Sequence, residues 1–323
     1  MLLASGCLPP TAGTARVRSR RAIKQTYTVP RVSIEVGPEA MSFRSPHFLL
    51  QFEDEIVTVR DFETLDGRES RGRGALLYFE SQYEFLTQVL GVEPLGPIRV
   101  VVAPRVRVGS EGRASEHDAY AQTHFQRLNG GVAVSTTLYF GIQAFSSPGV
   151  RAHEMFHAFA GPYGLPPWLD EGLAVLVEAE LIGGAGWAKT NKDLTPIGQD
   201  PEGYNLIQTW RQAGSSLPFR DIATYSYAYS IVSALREQNG DQFFPDFFRL
   251  LRQEIARRGL HSYTDEEIVA LMSAAAGRDL LPFFRDVLRF RLDAERVRAY
   301  LEELRGQAHQ EVAPRIPMSG LRP

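Results

Sequence analysis

The sequence predicts an α+β fold: a β-rich N-terminal half followed by an α-helical half, with the functional site between them. Two observations carry this expectation. From about 41 to 147, short apolar and β-branched runs are bounded by turn residues, which is the pattern of strands. From 148 onward, apolar positions recur at three- and four-residue steps, which is the pattern of helices. A hydrophobic content of 44% against 23% charged residues suits a globular chain with a core to fill. With 323 residues there is room for one large domain or two smaller ones.

Taken in order, residues 1–40 read as a loose tail, with a basic cluster at Arg16, Arg18, Arg20, Arg21 and Lys24 and few large apolar residues. Strands are expected at His47–Phe52, Ile56–Val59, Ile98–Val102 and Val132–Phe140. One helix interrupts them, because Ala75, Leu76, Phe79, Tyr83, Leu86, Val89 and Leu90 share a helical face that stops at Gly91. Arg71-Gly72-Arg73-Gly74 reads as a flexible lead-in to that helix. It lacks the Gly-Lys-Ser/Thr of a phosphate loop. The second subdomain, 148–305, contains a capping box at Thr264–Glu267 and an amphipathic stretch from Phe283 to Leu304. Residues 306–323 carry three prolines and read as a second tail.

Composition excludes several classes. A formal charge of −3 gives no argument for a nucleic-acid partner. The single cysteine, Cys7, rules out a disulfide framework and a cysteine-based metal site, so any metal must be held by His, Asp or Glu. No apolar run is long enough to span a bilayer. Leu3-Ala4-Ser5-Gly6-Cys7 has the small residues that precede a lipidated cysteine, but no apolar leader stands before it. Localisation therefore turns on what lies upstream of Met1: exported or lipid-anchored at Cys7 if a leader precedes it, cytoplasmic otherwise.

The chemistry is concentrated at His153-Glu154-Met155-Phe156-His157, a match to H-E-x-x-H. The motif has meaning only on a helix, where histidines at i and i+4 project from one face and reach a single ion. The helix signals are present: Ser147 as N-cap, Pro148 at the first position, and Gly161-Pro162 as the stop. A catalytic zinc takes a third protein ligand and keeps one position for water. The next acids lie in Pro167-Trp168-Leu169-Asp170-Glu171-Gly172, where Pro167 suits the start of a second helix; Glu171 is the candidate third ligand.

His153-Glu154-x-x-His157 followed by Trp168-Leu169-x-Glu171-Gly172-x-Ala174 resembles the gluzincin metallopeptidases, which include the thermolysin-like aminopeptidases and a bacterial peptidase MA-like group. The resemblance implies a zincin-like helical half and one zinc ion held by His153, His157 and Glu171. It implies Glu154 as the base that activates water, and peptides or proteins as substrates. It extends to Glu178, seven residues after Glu171, as an acid that orients a ligand histidine. It also extends to Tyr225, in the frame Tyr225-Ala228-Ile231-Val232-Leu235, as donor to the oxyanion. Tyr227 and Tyr229 are near competitors for that role. Gly277-Arg278-Asp279-Leu280 followed by Phe283-Phe284 matches the segment that closes the helical part of many relatives.

Two departures stand out. The link from His157 to Glu171 is short, as in the bacterial group, and the G-x-M-E-N segment of the aminopeptidases is missing before the first helix. Val132–Ser135 is the candidate edge strand for pairing with substrate backbone. His117 and His124 read as surface-loop residues, and His47, His261 and His309 as structural or solvated ones. Two other classes fit the same residues: a zinc hydrolase acting on non-peptide amides or esters, and a catalytically silent scaffold that keeps the helices for stability.

Overall fold

The main-chain ladders of the N-terminal half converge on one six-stranded sheet in the order β1-β2-β3-β4-β6-β5. Its strands are β1 (Glu35–Val36), β2 (Ser42–Arg44), β3 (Phe48–Phe52), β4 (Ile98–Ala103), β5 (Ala119–Leu128) and β6 (Gly131–Gly141). The computed structural model describes residues 32–107, 114–128, 131–181, 194–210 and 221–308. Cys7, the basic cluster and His309 lie outside them. The fold class is the expected one: the sheet occupies the N-terminal half and helices dominate the C-terminal half.

β3, β4 and β6 run parallel, and the hairpin β5–β6 closes one side of the sheet. Two-residue alternation in β3 buries Phe48, Leu50 and Phe52 on one face. Helix α1 (Leu65–Gln88) covers that face with Leu76, Phe79 and Leu86, and the rings of Phe48 and Phe79 meet at 5.7 Å. A short α2 (Ile142–Ser146) then leads into α3 (Pro148–Ala160), α4 (Pro167–Leu181), α5 (Asp221–Asn239), α6 (Phe243–Arg258), α7 (Asp265–Ala276) and α8 (Ala294–Ala308). Thr264 and Glu267 form the expected capping box of α7. One apolar cluster runs from Ala40 through Phe140 and Met155 to Leu304, so the two halves share a single core. No described helix is long and apolar enough to cross a membrane.

Local expectations fail where tertiary contacts outweigh pattern. Residues 1–40 are not all tail, since β1 pairs with β2 and Ala40 is buried. Ile56–Val59 is not a strand. β3 already has β2 and β4 on its two sides, so the chain turns into a 3₁₀ helix at Asp54–Thr58 that plugs Ile56 into the core. Arg71–Gly74 is not a flexible lead-in: Thr64 caps α1 at Leu65, ten residues before the apolar face becomes regular, and Gly72 lies inside the helix, where a Cβ would collide with the Phe43 ring. Val132–Ser135 lies in β6 and pairs with β5 on one side, while the ladder with β4 on the other side begins only at Thr136; β5 forms the outer edge along its whole length. Phe283–Leu304 is not one helix. A π-helical turn spans Phe283–Val287, Arg289 adopts φ 59°, and Asn205 bonds to the carbonyls of Leu288 and Arg289 that a continuous helix would have used itself. At the C-terminal end, α8 continues to Ala308, past the expected limit at 305.

α4 and α5 approach closely at Gly172, where a Cβ would stand 2.7 Å from the Ala228 carbonyl oxygen and 3.0 Å from Val232 Cγ1. In an open helix, Gly→Ala stabilises by about 0.5–1 kcal/mol. Here overpacking reverses the sign, and Gly172→Ala is expected to destabilise by roughly 1–3 kcal/mol in chemical denaturation. A variant as stable as the parent would show that the two helices are not held this close.

Candidate metal centre

α3 starts as its sequence requires. The Ser147 hydroxyl accepts from Val150 N, and Pro148 occupies the first turn, where its missing N–H costs nothing. Met155, Phe156 and Phe159 are buried and turn that side of the helix into the core. The stop is not the expected simple glycine cap. Gly161 remains right-handed in a 3₁₀ turn to Tyr163, and Gly164 takes the left-handed conformation at φ 67°. That reversal brings Pro167 into position to open α4 beside α3.

The two helices place three donor atoms together. His153 Nε2 lies 3.2 Å from Glu171 Oε2, His157 Nε2 lies 3.3 Å from the same oxygen, and the two ring nitrogens are 3.2 Å apart. A four-coordinate ion with bonds of about 2.0–2.2 Å has ligand atoms about 3.3–3.6 Å apart along each tetrahedral edge. The triangle is at the short end of this range, so small outward shifts would seat an ion. Glu171 Oε2 is fully buried and accepts no hydrogen bond of normal geometry, although two nitrogens face it. Three lone-pair donors turned toward one point form a group that can hold a metal ion. Side-chain exposures of 14%, 12% and 7% leave the site buried but within reach of solvent.

The opposite nitrogens of both imidazoles face carboxylates. His157 Nδ1 lies 3.1 Å from Asp170 Oδ2, and His153 Nδ1 lies 3.9 Å from Glu178 Oε2. Such partners select the ring tautomer that leaves Nε2 free to bind metal. Glu178 thus faces the histidine side expected of it, at ion-pair rather than hydrogen-bond distance. Asp170 makes the closer contact, and sequence reasoning missed it. The available signal was its place beside Glu171 in the same turn.

Anchoring of α4 also escaped the sequence. Trp168 Nε1 donates to Asp265 Oδ1 at 2.8 Å, and the indole packs on Phe284 and Phe290. Gln208 donates to the other oxygen of Asp265. The first turn of α4 is therefore tied to the start of α7, two to three residues from Asp170 and Glu171.

Electrostatics follow from burial and from these neighbours. Burial raises the Glu154 pKa, against the pull of His157 and His153. Burial also works against charge on Glu171, but the two imidazoles outweigh it and hold that carboxyl well below the usual range. Burial alone would lower His157; Asp170 and Glu171 overcome it and raise the imidazole well above its ordinary value. Of the three tyrosines on α5, Tyr225 makes the ring contact with His153, at 6.2 Å, and its other side meets Trp210. The Tyr227 hydroxyl bonds to Asn205 and Leu194 in the core, and Tyr229 packs beside Val175.

The other histidines stay apart from this group. His47 pairs with buried Glu80 at 2.7 Å, and His124 lies not in the expected loop but on β5, opposite Ser135, where pairing with β6 makes a strand of a polar stretch. Among the described residues, no second group of three His, Cys, Asp or Glu side chains can hold an ion. No family model, curated protein or solved structure matches this chain.

With zinc as the probe, equilibrium titration should give one site per chain. Asp170→Asn should weaken it about 10–100-fold, the usual effect of losing the carboxylate behind a ligand histidine. Glu171→Ala should weaken it further. Equal affinity in all three proteins would mean that the ion binds elsewhere.

Proposed function

We propose that the chain is a zinc-dependent metallopeptidase, with His153, His157 and Glu171 as zinc ligands and Glu154 as general base. The observation that carries the reading is the donor triangle, with a half-buried carboxyl group one residue from its first histidine. Two imidazole nitrogens and one carboxylate oxygen are a donor set suited to zinc. When bound, zinc supplies Lewis acidity, which makes water a nucleophile near neutral pH and polarises a carbonyl.

The chain's own residues do the rest. Glu154 lies about 100° around α3 from His153. Its raised pKa makes it a stronger base than an ordinary carboxylate. It accepts the proton released as water attacks the carbonyl carbon, then delivers it to the amine nitrogen as the C–N bond breaks. Tyr225, beside His153, donates its hydroxyl to the oxyanion of the tetrahedral intermediate. Asp170 and Glu178 hold the imidazoles in register.

A peptide substrate is favoured over a small amide or ester by the position of β5. This strand is the outer edge of the sheet, and its Thr123 lies against Gly161 at the end of α3. Its unpaired main-chain groups suit an extended chain laid alongside. The presence of Glu154 counts against a silent scaffold, since metal binding alone needs no base.

A mixed-peptide substrate screen should show cleavage that chelator abolishes and zinc restores. Glu154→Gln should keep its zinc and lose about 10²–10⁴ in kcat. A Glu154→Gln protein with full zinc and full activity would sink the assignment. Tyr225→Phe should cost roughly 10²–10³ in kcat with little change in KM, as for a donor that acts on developing charge. An unchanged kcat would remove Tyr225 from the site.

A further inference from the structure

Arg151 belongs to the first turn of α3, but about 200° around the helix from His153, so it faces away from the donor triangle. Its guanidinium lies 4.4 Å from the centre of the Tyr78 ring and 5.7 Å from that of Phe145. The Tyr78 hydroxyl donates to the Pro148 carbonyl, which fixes the ring on which the cation stacks. Arg151 Nε is fully buried and has no hydrogen-bond partner. Among the described residues, no carboxylate reaches Arg151 at ion-pair distance. A buried guanidinium N–H without an acceptor costs the fold a hydrogen bond that a ligand could restore.

This side chain borders a cleft of about 410 Å³, lined by Phe62, Arg71, Ala75, Phe145, Ser146 and Arg151. The volume is that of a small-molecule pocket. Arg71 enters from α1. Its ion pair with Asp61, 2.8 Å long, is half exposed on both sides, so solvent screens it and it can exchange. Two forked donors, one of them with a buried N–H left unpaired, thus border the cleft, together with the hydroxyl-bearing Ser146. The fork of arginine fits a carboxylate or a phosphate in two-point contact.

We propose that this cleft binds a small carboxylate- or phosphate-bearing ligand, held by Arg151 and Arg71. The site is separate from the metal centre and does not depend on the peptidase reading. Inorganic phosphate and acetate are suitable probes, one for each class of anion, titrated by calorimetry and thermal unfolding against chloride at equal ionic strength. The full-length protein should show saturable binding and a rise in unfolding temperature with at least one of them. The tighter of the two identifies the preferred anion.

Arg151→Met keeps the stack on Tyr78 but loses the fork. It should bind at least about tenfold more weakly, the loss of one charge-assisted pair. Without ligand it should unfold as cooperatively as the parent, because the methionine stem still packs on the Tyr78 ring. Arg71→Met, at an exposed position, should also bind more weakly. Glu171→Ala should bind as the parent does, which separates this cleft from anion binding at the metal. The proposal is overturned if neither probe exceeds chloride, if both arginine variants bind as tightly as the parent, or if Glu171→Ala abolishes binding.

Discussion

The side-by-side packing of α3 and α4 is the constraint on which the candidate site depends. It sets a buried carboxylate, Glu171, against two imidazoles that a single helix presents four residues apart. Neither helix makes the site alone. Histidines at i and i+4 supply two donors with a fixed separation, and a third must arrive from elsewhere at the same distance from both. The energetic difficulty is that an ionised carboxylate loses its water there. The facing imidazoles compensate, which is why Glu171 stays charged although it is buried. Asp170 and Glu178, on the same helix as Glu171, repeat that logic on the outer side of each ring.

The surrounding structure keeps that packing tight. Trp168 is clamped between an aromatic pair and Asp265, so the first turn of α4 cannot slide along its axis without breaking a buried hydrogen bond. Gly172 lets α5 close against α4 where any larger residue would hold it off. On the far side, α3 is fixed by Met155, Phe156 and Phe159 in the core common to both halves. The donors thus come from the most buried part of the helical half, while α3 and β5 connect them to the sheet. A rigid frame suits a centre whose donor distances tolerate only small errors.

Much of this was legible in the sequence because it is local. Ser147-Pro148 starts α3, Pro167 starts α4 and Thr264–Glu267 caps α7, each through contacts within one turn. The readings that failed were those in which pattern had to predict a partner. The β-branched run at Ile56–Val59 had strand character but no free strand to pair with. The amphipathic run from Phe283 was broken by Asn205, some eighty residues away. Val132–Ser135 read correctly as a strand, but its partner β5 lay in a stretch that read as loop.

By itself, the sequence determined most of the element types, the helix on which His153, Glu154 and His157 share neighbouring positions, and the exclusion of cysteine from any metal site. These follow from backbone periodicity and composition, which need no knowledge of distant residues. Only the tertiary structure decided that Asp170 backs His157 more closely than Glu178 backs His153. The same holds for Trp168 anchoring α4 through Asp265 and for Arg151 facing a cleft without a counter-charge. Each of those depends on how one helix is rotated and set against another, and that is decided by the packing of the whole core rather than by any segment within it.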